Sequence, residues 1–246
     1  MSTRPFLVLV PGILSTDILW KRQVEILSEV ADVHVTQQHL RHDSLEAMAE
    51  GILAETPPEF AIAGCSMGGY VALLVKKLGG ARVTHLCLID STANFNLEDG
   101  QQSQIQIELI SGQENFDGIK RSMIQMFLNE DNQRSMSMNA VVDAMAEAVG
   151  EERFLMQLMA IKEGADLRGE LRQVTCPTLV LCGAEDKLFP ADLSREVSQG
   201  VRRSKLVVID GAAHLLPLER PETVAELMRN WLMGDLHMDR KEMVLK

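Results

Sequence analysis

Six short runs of apolar residues, spread along the whole chain, constrain the fold more than any other feature of the sequence. Within each run the apolar residues are consecutive and do not alternate with polar ones, which is typical of strands covered on both faces. Segments with helical spacing separate most of these runs, so we predict an α/β fold with a doubly wound, mostly parallel sheet. The predicted strands are Phe6–Val10, Val33–Val35, a run that ends at Cys65, Val83–Ile89, Thr178–Cys182 and Lys205–Ile209.

Helix start signals mark the segments between these runs. Asp43 is followed three residues later by Glu46, which is the spacing of a capping box, and Pro221 is a favourable first residue for a helix. The residues after Trp231 are of mixed charge, and we predict that they form a loosely held tail. The predicted core helices cover about 17–30, a segment after Asp43, a segment after Ser66 and a segment from Pro221.

One interval interrupts the alternation of strands and helices. From Ser91 to Cys176 no apolar run predicts a strand, and most of the residues have helical spacing. We therefore predict that residues 1–92 and 174–246 form an α/β core and that residues 93–173 form a helical cap inserted in it. The predicted cap helices are Gly118–Asn129, Asn139–Val149 and Glu151–Glu163.

The cap is rich in methionine, and two interpretations of this remain open. Unbranched thioether side chains adapt to irregular spaces, so they either fill the core of the cap or roof an apolar pocket beneath it. The methionines concerned are Met123, Met126, Met136, Met138, Met145, Met156 and Met159.

The composition excludes several classes of protein. Hydrophobic residues make up 46% and charged residues 24% of the 246 positions, which is typical of a globular chain. The 24 Lys and Arg against 35 Asp and Glu give a net charge of −11 with both signs interleaved, so we do not expect a nucleic-acid partner. The first apolar run, Phe6–Val10, is far shorter than the roughly 20 residues of a membrane helix. We expect a cytoplasmic protein without a membrane span.

The spacing of the four cysteines argues against disulfides and zinc sites. Each lies in or beside an apolar run, and neither CxxC nor paired CxxH spacing occurs. We predict buried, reduced thiols, which agrees with a cytoplasmic location. The residues are Cys65, Cys87, Cys176 and Cys182.

A Gly-x-Ser-x-Gly pattern, from Gly64 to Gly68, lies between the third predicted strand and the helix that follows it. A sharp strand-to-helix turn there would lift Ser66 above the sheet, and the two glycines would let neighbouring backbone pass without a Cβ clash. The helix would aim its first amides, including that of Met67, at an oxyanion formed on an acyl group on Ser66. Ser66 is therefore a candidate nucleophile, and the alternative is an ordinary helix N-cap.

A nucleophilic serine needs a histidine to take its proton and a carboxylate to orient that histidine. Asp186 lies just beyond the predicted strand Thr178–Cys182, and His214 lies just beyond Lys205–Ile209. In a parallel sheet the carboxyl ends of the strands share one edge, so we expect both residues to meet Ser66 there. The chain order Ser, Asp, His is the order expected on this scaffold.

These motifs resemble those of the α/β-hydrolase superfamily, in particular its small capped, esterase-like branch. The similar segments are Gly64 to Gly68, Cys176 to Asp186, Gly211 to His214 and Leu218 to Glu222, and the resemblance extends over nearly the whole chain. A cap inserted after the strand that ends at Ile89 has the usual position of the cap in this family. The resemblance implies a catalytic triad of Ser66, Asp186 and His214 that requires neither a metal nor an organic cofactor.

The resemblance also implies an oxyanion hole, with one departure. Members of this branch typically carry His-Gly after the first strand, followed by a residue whose backbone N–H is the second donor. The matching residues here are Pro11, Gly12 and Ile13, so a proline replaces the histidine. Because the donor is a backbone amide, we expect Ile13 and Met67 to supply the two donors. Leu14 stands where many lactonases and related lyases have a second glycine, and its bulk predicts a narrower mouth of the substrate site.

Three other carboxylates compete with Asp186 for the role of the acid. Asp90 ends the strand Val83–Ile89, a position from which some relatives supply the acid, while Glu185 and Asp210 are turn residues near the predicted strand ends. We prefer Asp186. Cys65 precedes the nucleophile, and we predict that it is only a small buried side chain.

The resemblance implies a serine hydrolase of the carboxylic-ester type, acting on a small or medium apolar ester or thioester through an acyl-enzyme. A serine nucleophile argues against chemistry that proceeds through a carboxylate ester intermediate. A carbon–carbon bond hydrolase or an acyltransferase with the same triad is the alternative among enzymes. A ligand-binding receptor of the same fold, without turnover, is the alternative of another class.

Overall fold

One seven-stranded sheet organises the part of the chain that the computed structural model describes, residues 4–95 and 115–246. Every neighbouring pair of strands is parallel, so the predicted α/β class and the doubly wound sheet are confirmed. The strands are β1 (Phe6–Val10), β2 (Asp32–Val35), β3 (Phe60–Cys65), β4 (Val83–Ile89), β5 (Thr178–Gly183), β6 (Ser204–Ile209) and β7 (Glu242–Leu245). Their order in the sheet is β2-β1-β3-β4-β5-β6-β7.

Helices cover the sheet and connect its strands. β3, β5 and β6 are buried along their whole length, which explains why consecutive apolar residues predicted them. The α-helices of the described residues are α1 (Lys21–Leu27), α2 (Leu45–Glu55), α3 (Met67–Gly79), α4 (Phe116–Phe127), α5 (Glu130–Gln133), α6 (Met136–Lys162), α7 (Ala191–Gly200), α8 (Leu216–Glu219) and α9 (Pro221–Met233). Within this set α1 packs on α9, and α2 packs on α3.

The chain inserts helices between β4 and β5, as predicted, and α4, α5 and α6 belong to this cap. Residues 96–114 of the predicted cap lie outside the described residues, so the division at residues 92 and 174 stays a prediction. Met123 and Met145 are buried in the apolar cluster, which supports the first interpretation for these two residues. Met136 is 88% exposed and Met159 is 65% exposed.

A break at Gly150 divides α6 into two helical parts. Its backbone has φ 77° and ψ 162°, outside the helical region. The predicted helices Asn139–Val149 and Glu151–Glu163 therefore follow each other directly, one on each side of this glycine. A Cβ at Gly150 would meet nothing within 4 Å, so the positive φ, and not crowding, favours glycine here.

The predicted capping box at Asp43 and Glu46 is wrong. The N-cap of α2 is Ser44, whose Oγ accepts a hydrogen bond of 3.2 Å from the backbone N–H of Ala47. Aspartate and serine are both good N-caps, so the local sequence alone allows either start. The helix begins at Leu45, which is buried with Met48 against the core.

The prediction of a loosely held tail after Trp231 is also wrong. α9 continues to Met233, and β7 then pairs in parallel with β6 at the edge of the sheet. Met243 and Leu245 pack against the core, while Glu242 and Val244 on the other face are exposed. Glu242 accepts hydrogen bonds of 2.8 and 2.9 Å from Arg195, so a charged residue that suggested a tail instead holds the edge strand.

All four cysteines lie in the described residues, where each is buried and unpaired, as predicted. None of the helices described is long and apolar enough to cross a lipid bilayer.

Candidate active site

Ser66 occupies a strained turn between β3 and α3. Its backbone has φ 56° and ψ −123°, a conformation that residues with a Cβ rarely adopt. A Cβ at Gly64 would overlap the carbonyl oxygen of Gly68, and a Cβ at Gly68 would overlap that of Val10. The two glycines thus allow the close backbone approach that the turn requires, as the sequence predicted.

Hydrogen bonds connect the three residues that the sequence placed at separate strand ends. The Oγ of Ser66 donates to Nε2 of His214 over 2.8 Å, and Nδ1 of His214 donates to Oδ2 of Asp186 over 2.8 Å. All three residues are buried, and Ser66 is the most accessible of them at 6%. The arrangement can move a proton from the serine hydroxyl to the imidazole, with a carboxylate to stabilise the resulting charge.

The turn after β5 fixes the carboxylate of Asp186. Its Oδ1 accepts hydrogen bonds from the backbone N–H groups of Leu188 and Phe189, at 2.9 and 3.0 Å, which leaves Oδ2 for His214. Because both backbone donors belong to the same short turn, the carboxylate cannot rotate without losing them. Glu185, one residue earlier, is exposed.

Asp90, the main competing candidate for the acid, faces elsewhere. Its Oδ1 accepts from the backbone N–H of Gly183 at 2.9 Å, and its Oδ2 accepts from that of Leu216 at 3.1 Å. Burial, and secondarily the charge of Asp186, raises the pKa of Asp90 well above its usual value. Asp90 therefore joins the end of β5 to the start of α8.

Two aromatic rings lie beside the imidazole. The ring centroids of Phe127 and Phe189 are each 5.1 Å from that of His214. Phe127 ends the cap helix α4, and Phe189 follows the Asp186 turn. The imidazole is thus enclosed by apolar surface from the cap on one side and from the core on another.

The candidate oxyanion donors lie in the loop after β1 and at the start of α3. A Cβ on Gly12 would lie 3.1 Å from the Cβ of Ser66, so this loop passes directly against the serine. Within the described residues, the backbone N–H groups of Ile13 and Met67 have no hydrogen-bond acceptor. Two unpaired amides beside a buried serine can stabilise a negative oxygen there.

Two side chains that the sequence did not single out hold this loop in place. Gln157, buried in the second part of α6, accepts a hydrogen bond of 3.1 Å from the N–H of Leu14 and donates one of 3.1 Å to the carbonyl of His39. Nε2 of His39 in turn donates to the carbonyl of Ser15 over 3.0 Å. Leu14 has φ 52°, so the loop is held in a conformation that its own residue does not favour.

No local signal marks Gln157 or His39, because their partners are distant in the chain. Gln157 lies 143 residues from Leu14 and 118 from His39.

We predict that Gln157→Leu destabilises the protein, because the substitution leaves the N–H of Leu14 and the carbonyl of His39 buried without partners. Each orphaned group costs about 1–3 kcal/mol. Urea unfolding measures the loss, and Gln125→Leu, at an exposed position of α4, is the control. Equal stability of the two variants would contradict this role of Gln157.

We also predict that His39 makes the stability depend on pH. Burial lowers the pKa of His39 from 6.5 to about 4 in the folded protein. Between these values the unfolded chain binds a proton that the folded protein does not, so stability falls as pH falls from 6.5 towards 4, by about 3 kcal/mol at most. Denaturant unfolding from pH 7 to 4 should show a shallower loss for His39→Gln. His237→Gln, at an exposed histidine, should retain the wild-type dependence, and equal slopes for all three proteins would refute the prediction.

The chain is similar in sequence to known hydrolases. A model of the alpha/beta hydrolase family matches residues 7–227. A pimeloyl-[acyl-carrier protein] methyl ester esterase from Neisseria meningitidis serogroup B (strain H44/76) is 26% identical over 208 residues, covering 82% of this chain and 80% of that protein. The esterase of the same name from Nitrosomonas europaea is 27% identical, covering 89% and 92%.

Solved structures show the same fold. A thermophilic esterase from Thermogutta terrifontis superposes with a TM-score of 0.77 at 25% identity, covering 94% of this chain and 90% of that one. An enol-lactonase from Burkholderia xenovorans LB400 superposes with a TM-score of 0.83 at 20% identity, covering 94% and 92%. The expected activity class, carboxylic-ester hydrolysis, is confirmed by the family match and the curated relatives. The chain belongs to the alpha/beta hydrolase family.

Proposed function

We propose that the protein hydrolyses an ester of a small alcohol, such as a methyl ester, on a medium-length apolar acyl chain, through an acyl-enzyme on Ser66. One observation carries the mechanism, namely the continuous hydrogen bonding from Ser66 through His214 to Asp186, with 2.8 Å at each step. Such a relay serves acyl transfer in general, and water is the acceptor in a hydrolase.

The reaction follows from the roles of these three residues. Nε2 of His214 takes the proton of Ser66 Oγ as this oxygen attacks the ester carbonyl carbon, and Asp186 stabilises the imidazolium. His214 then gives the proton to the departing alkoxide, which leaves as the alcohol. A water molecule, deprotonated by His214, attacks the acyl-enzyme and releases the carboxylic acid and Ser66.

The backbone supplies the stabilisation of the tetrahedral intermediates. We assign the two oxyanion donors to the N–H groups of Ile13 and Met67, which have no acceptor in the described residues. Each such donor typically contributes about 3–4 kcal/mol to transition-state stabilisation. Pro11, which replaces the histidine usual in this branch, does not affect this role, because the donor amide belongs to Ile13.

The nature of the substrate rests on the surroundings of His214 and on the relatives. Phe127 and Phe189 line the imidazole that protonates the leaving group, which favours a small apolar alcohol there. The curated relatives are named for a methyl ester of a pimeloyl chain. A methyl ester of an acyl chain of similar length combines both observations.

We predict that Ser66→Ala abolishes hydrolysis of methyl esters while the fold remains intact. Wild-type kcat/KM should rise with acyl length, because each buried methylene contributes up to about 0.8 kcal/mol until the pocket is full. The assay is titration of the released acid over methyl esters of graded acyl length, with a fluorophosphonate probe to label the nucleophile. Ser137→Ala, at an exposed serine of α6, is the control.

Two results would contradict the proposal. Turnover by a folded Ser66→Ala protein would exclude Ser66 as the nucleophile. Wild-type protein that binds these esters without turnover would instead favour a ligand-binding member of the family.

We further predict that Asp186→Asn lowers kcat by roughly 10⁴-fold, because the amide favours the wrong tautomer of His214. Asp90→Asn should lower kcat much less, since Asp90 contacts backbone N–H groups and not the imidazole. Steady-state kinetics of both variants on one methyl ester, with a thermal melt of each, makes the comparison. A reversed ranking would show that the acid is misassigned.

A further inference from the structure

The loop that carries His214 is bound to the cap as well as to the core. The carbonyl of Phe127, at the end of α4, accepts hydrogen bonds from the backbone N–H groups of His214 and Leu215 at 3.0 and 3.2 Å. The side-chain amide of Asn129, two residues later, donates to the carbonyl of Gly211. We call residues 210–215 the histidine loop and the turn between α4 and α5 the cap turn. The cap turn therefore contacts the histidine loop near both of its ends.

A buried carboxylate, that of Glu219, completes this junction. Its Oε2 accepts from the backbone N–H of Ala213, the residue before His214, at 2.6 Å. Its Oε1 accepts from the backbone N–H of Asn129 at 2.7 Å and from the side chain of Asn132 at 3.0 Å. One carboxylate thus joins the histidine loop to the cap turn. We call Asn129, Asn132 and Glu219 together the clasp.

The burial of Glu219 is costly and needs an explanation. Only 6% of the residue is exposed, and no basic side chain of the described part of the chain forms an ion pair with it. Removing a carboxylate from water without an ion-pair partner is unfavourable unless several donors compensate for the lost hydration. The three N–H donors replace part of the lost hydration, and two of them are backbone groups that fix the loop and the turn relative to each other.

We propose that Glu219 is a positioning residue, which holds Nε2 of His214 within hydrogen-bond distance of Ser66 by fixing the histidine loop to the cap turn. The inference rests on the proposed function in one respect, the role of His214 as the base. It goes further in making the geometry of that base depend on the cap, because two of the donors to Glu219, the backbone N–H of Asn129 and the side-chain amide of Asn132, belong to the cap. If the cap turn moves away, the histidine loop loses its hydrogen bonds to Asn129 and Glu219 loses its donors from the cap. Nε2 of His214 is then no longer held at hydrogen-bond distance from Ser66.

The first test is Glu219→Gln, which keeps the shape but gives one end of the side chain an NH₂ group. Whichever way the amide is turned, its NH₂ group faces a backbone N–H and cannot accept a hydrogen bond from it. The amide oxygen can therefore accept from the histidine loop or from the cap, but not from both. We expect kcat for a methyl ester to fall about 10- to 100-fold, the effect of a misplacement of about 1 Å, with KM within twofold of wild type. Glu222→Gln, three residues later at an exposed carboxylate that pairs with Arg22, is the matched control and should retain wild-type kcat.

The second variant separates the clasp from the capping of α5. Oδ1 of Asn129 accepts from the N–H of Asn132 and caps α5, while Nδ2 donates to Gly211. Asn129→Ser keeps a good capping oxygen but is too short to reach Gly211. We expect a lower kcat with a melting temperature close to that of wild type. This variant remains informative if Glu219→Gln does not fold.

A spectroscopic measurement tests the geometry without any substrate. The hydrogen-bonded Nδ1 proton of His214 should give a downfield proton NMR resonance. We expect this resonance to broaden or disappear in Glu219→Gln and Asn129→Ser and to persist in Glu222→Gln. This readout stays valid even if wild-type protein hydrolyses no ester, in which case the proposed function fails and the clasp is still tested.

Two outcomes would overturn the inference. One is a folded Glu219→Gln or Asn129→Ser protein with kcat within twofold of wild type and an unchanged resonance. The other is a loss of kcat that appears only in variants with a lowered melting temperature, with Asn129→Ser unaffected, which would make Glu219 a purely stabilising residue.

Discussion

The parallel arrangement of the buried strands is the constraint on which the site depends. β3, β5 and β6 run in the same direction and are buried along their whole length, so their carboxyl ends reach one edge of the sheet together. Ser66, Asp186 and His214 each lie within a few residues of such an end. His214 is thereby brought to hydrogen-bond distance from Asp186, 28 positions away in the sequence, and from Ser66, 148 positions away.

Acidic groups in the site are satisfied by backbone amides. Asp186, Asp90 and Glu219 are buried, and each accepts at least two backbone N–H hydrogen bonds. Burial is the main cause that raises the pKa of Asp90 and of Glu219. These carboxylates differ in what they hold. Asp186 holds the imidazole, Asp90 holds the ends of two core segments, and Glu219 holds the histidine loop to the cap.

The sequence predicted those parts of the fold and of the site that depend on local patterns. Apolar runs indicate strands directly, and glycine spacing indicates the turn at Ser66, because the causes lie within a few residues. The contacts of Gln157, and the contact of Glu219 with Asn129, depend on which distant backbone groups remain unpaired after folding, and no local pattern contains this information. The sequence analysis missed β7 because a four-residue edge strand with one partly buried face shows only a weak pattern of apolar residues.

The break at Gly150 divides the 27 residues of α6 into two shorter helical parts. An unbroken helix over the 27 residues of α6 would be about 40 Å long, which exceeds the diameter of a small domain. The non-helical backbone of Gly150 interrupts this length, so the two parts need not share one axis. It also decides where the second part begins, and hence that Gln157, seven residues on, reaches the loop after β1. A single non-helical residue thus precedes the part of the cap whose Gln157 binds the backbone next to the candidate oxyanion donor Ile13.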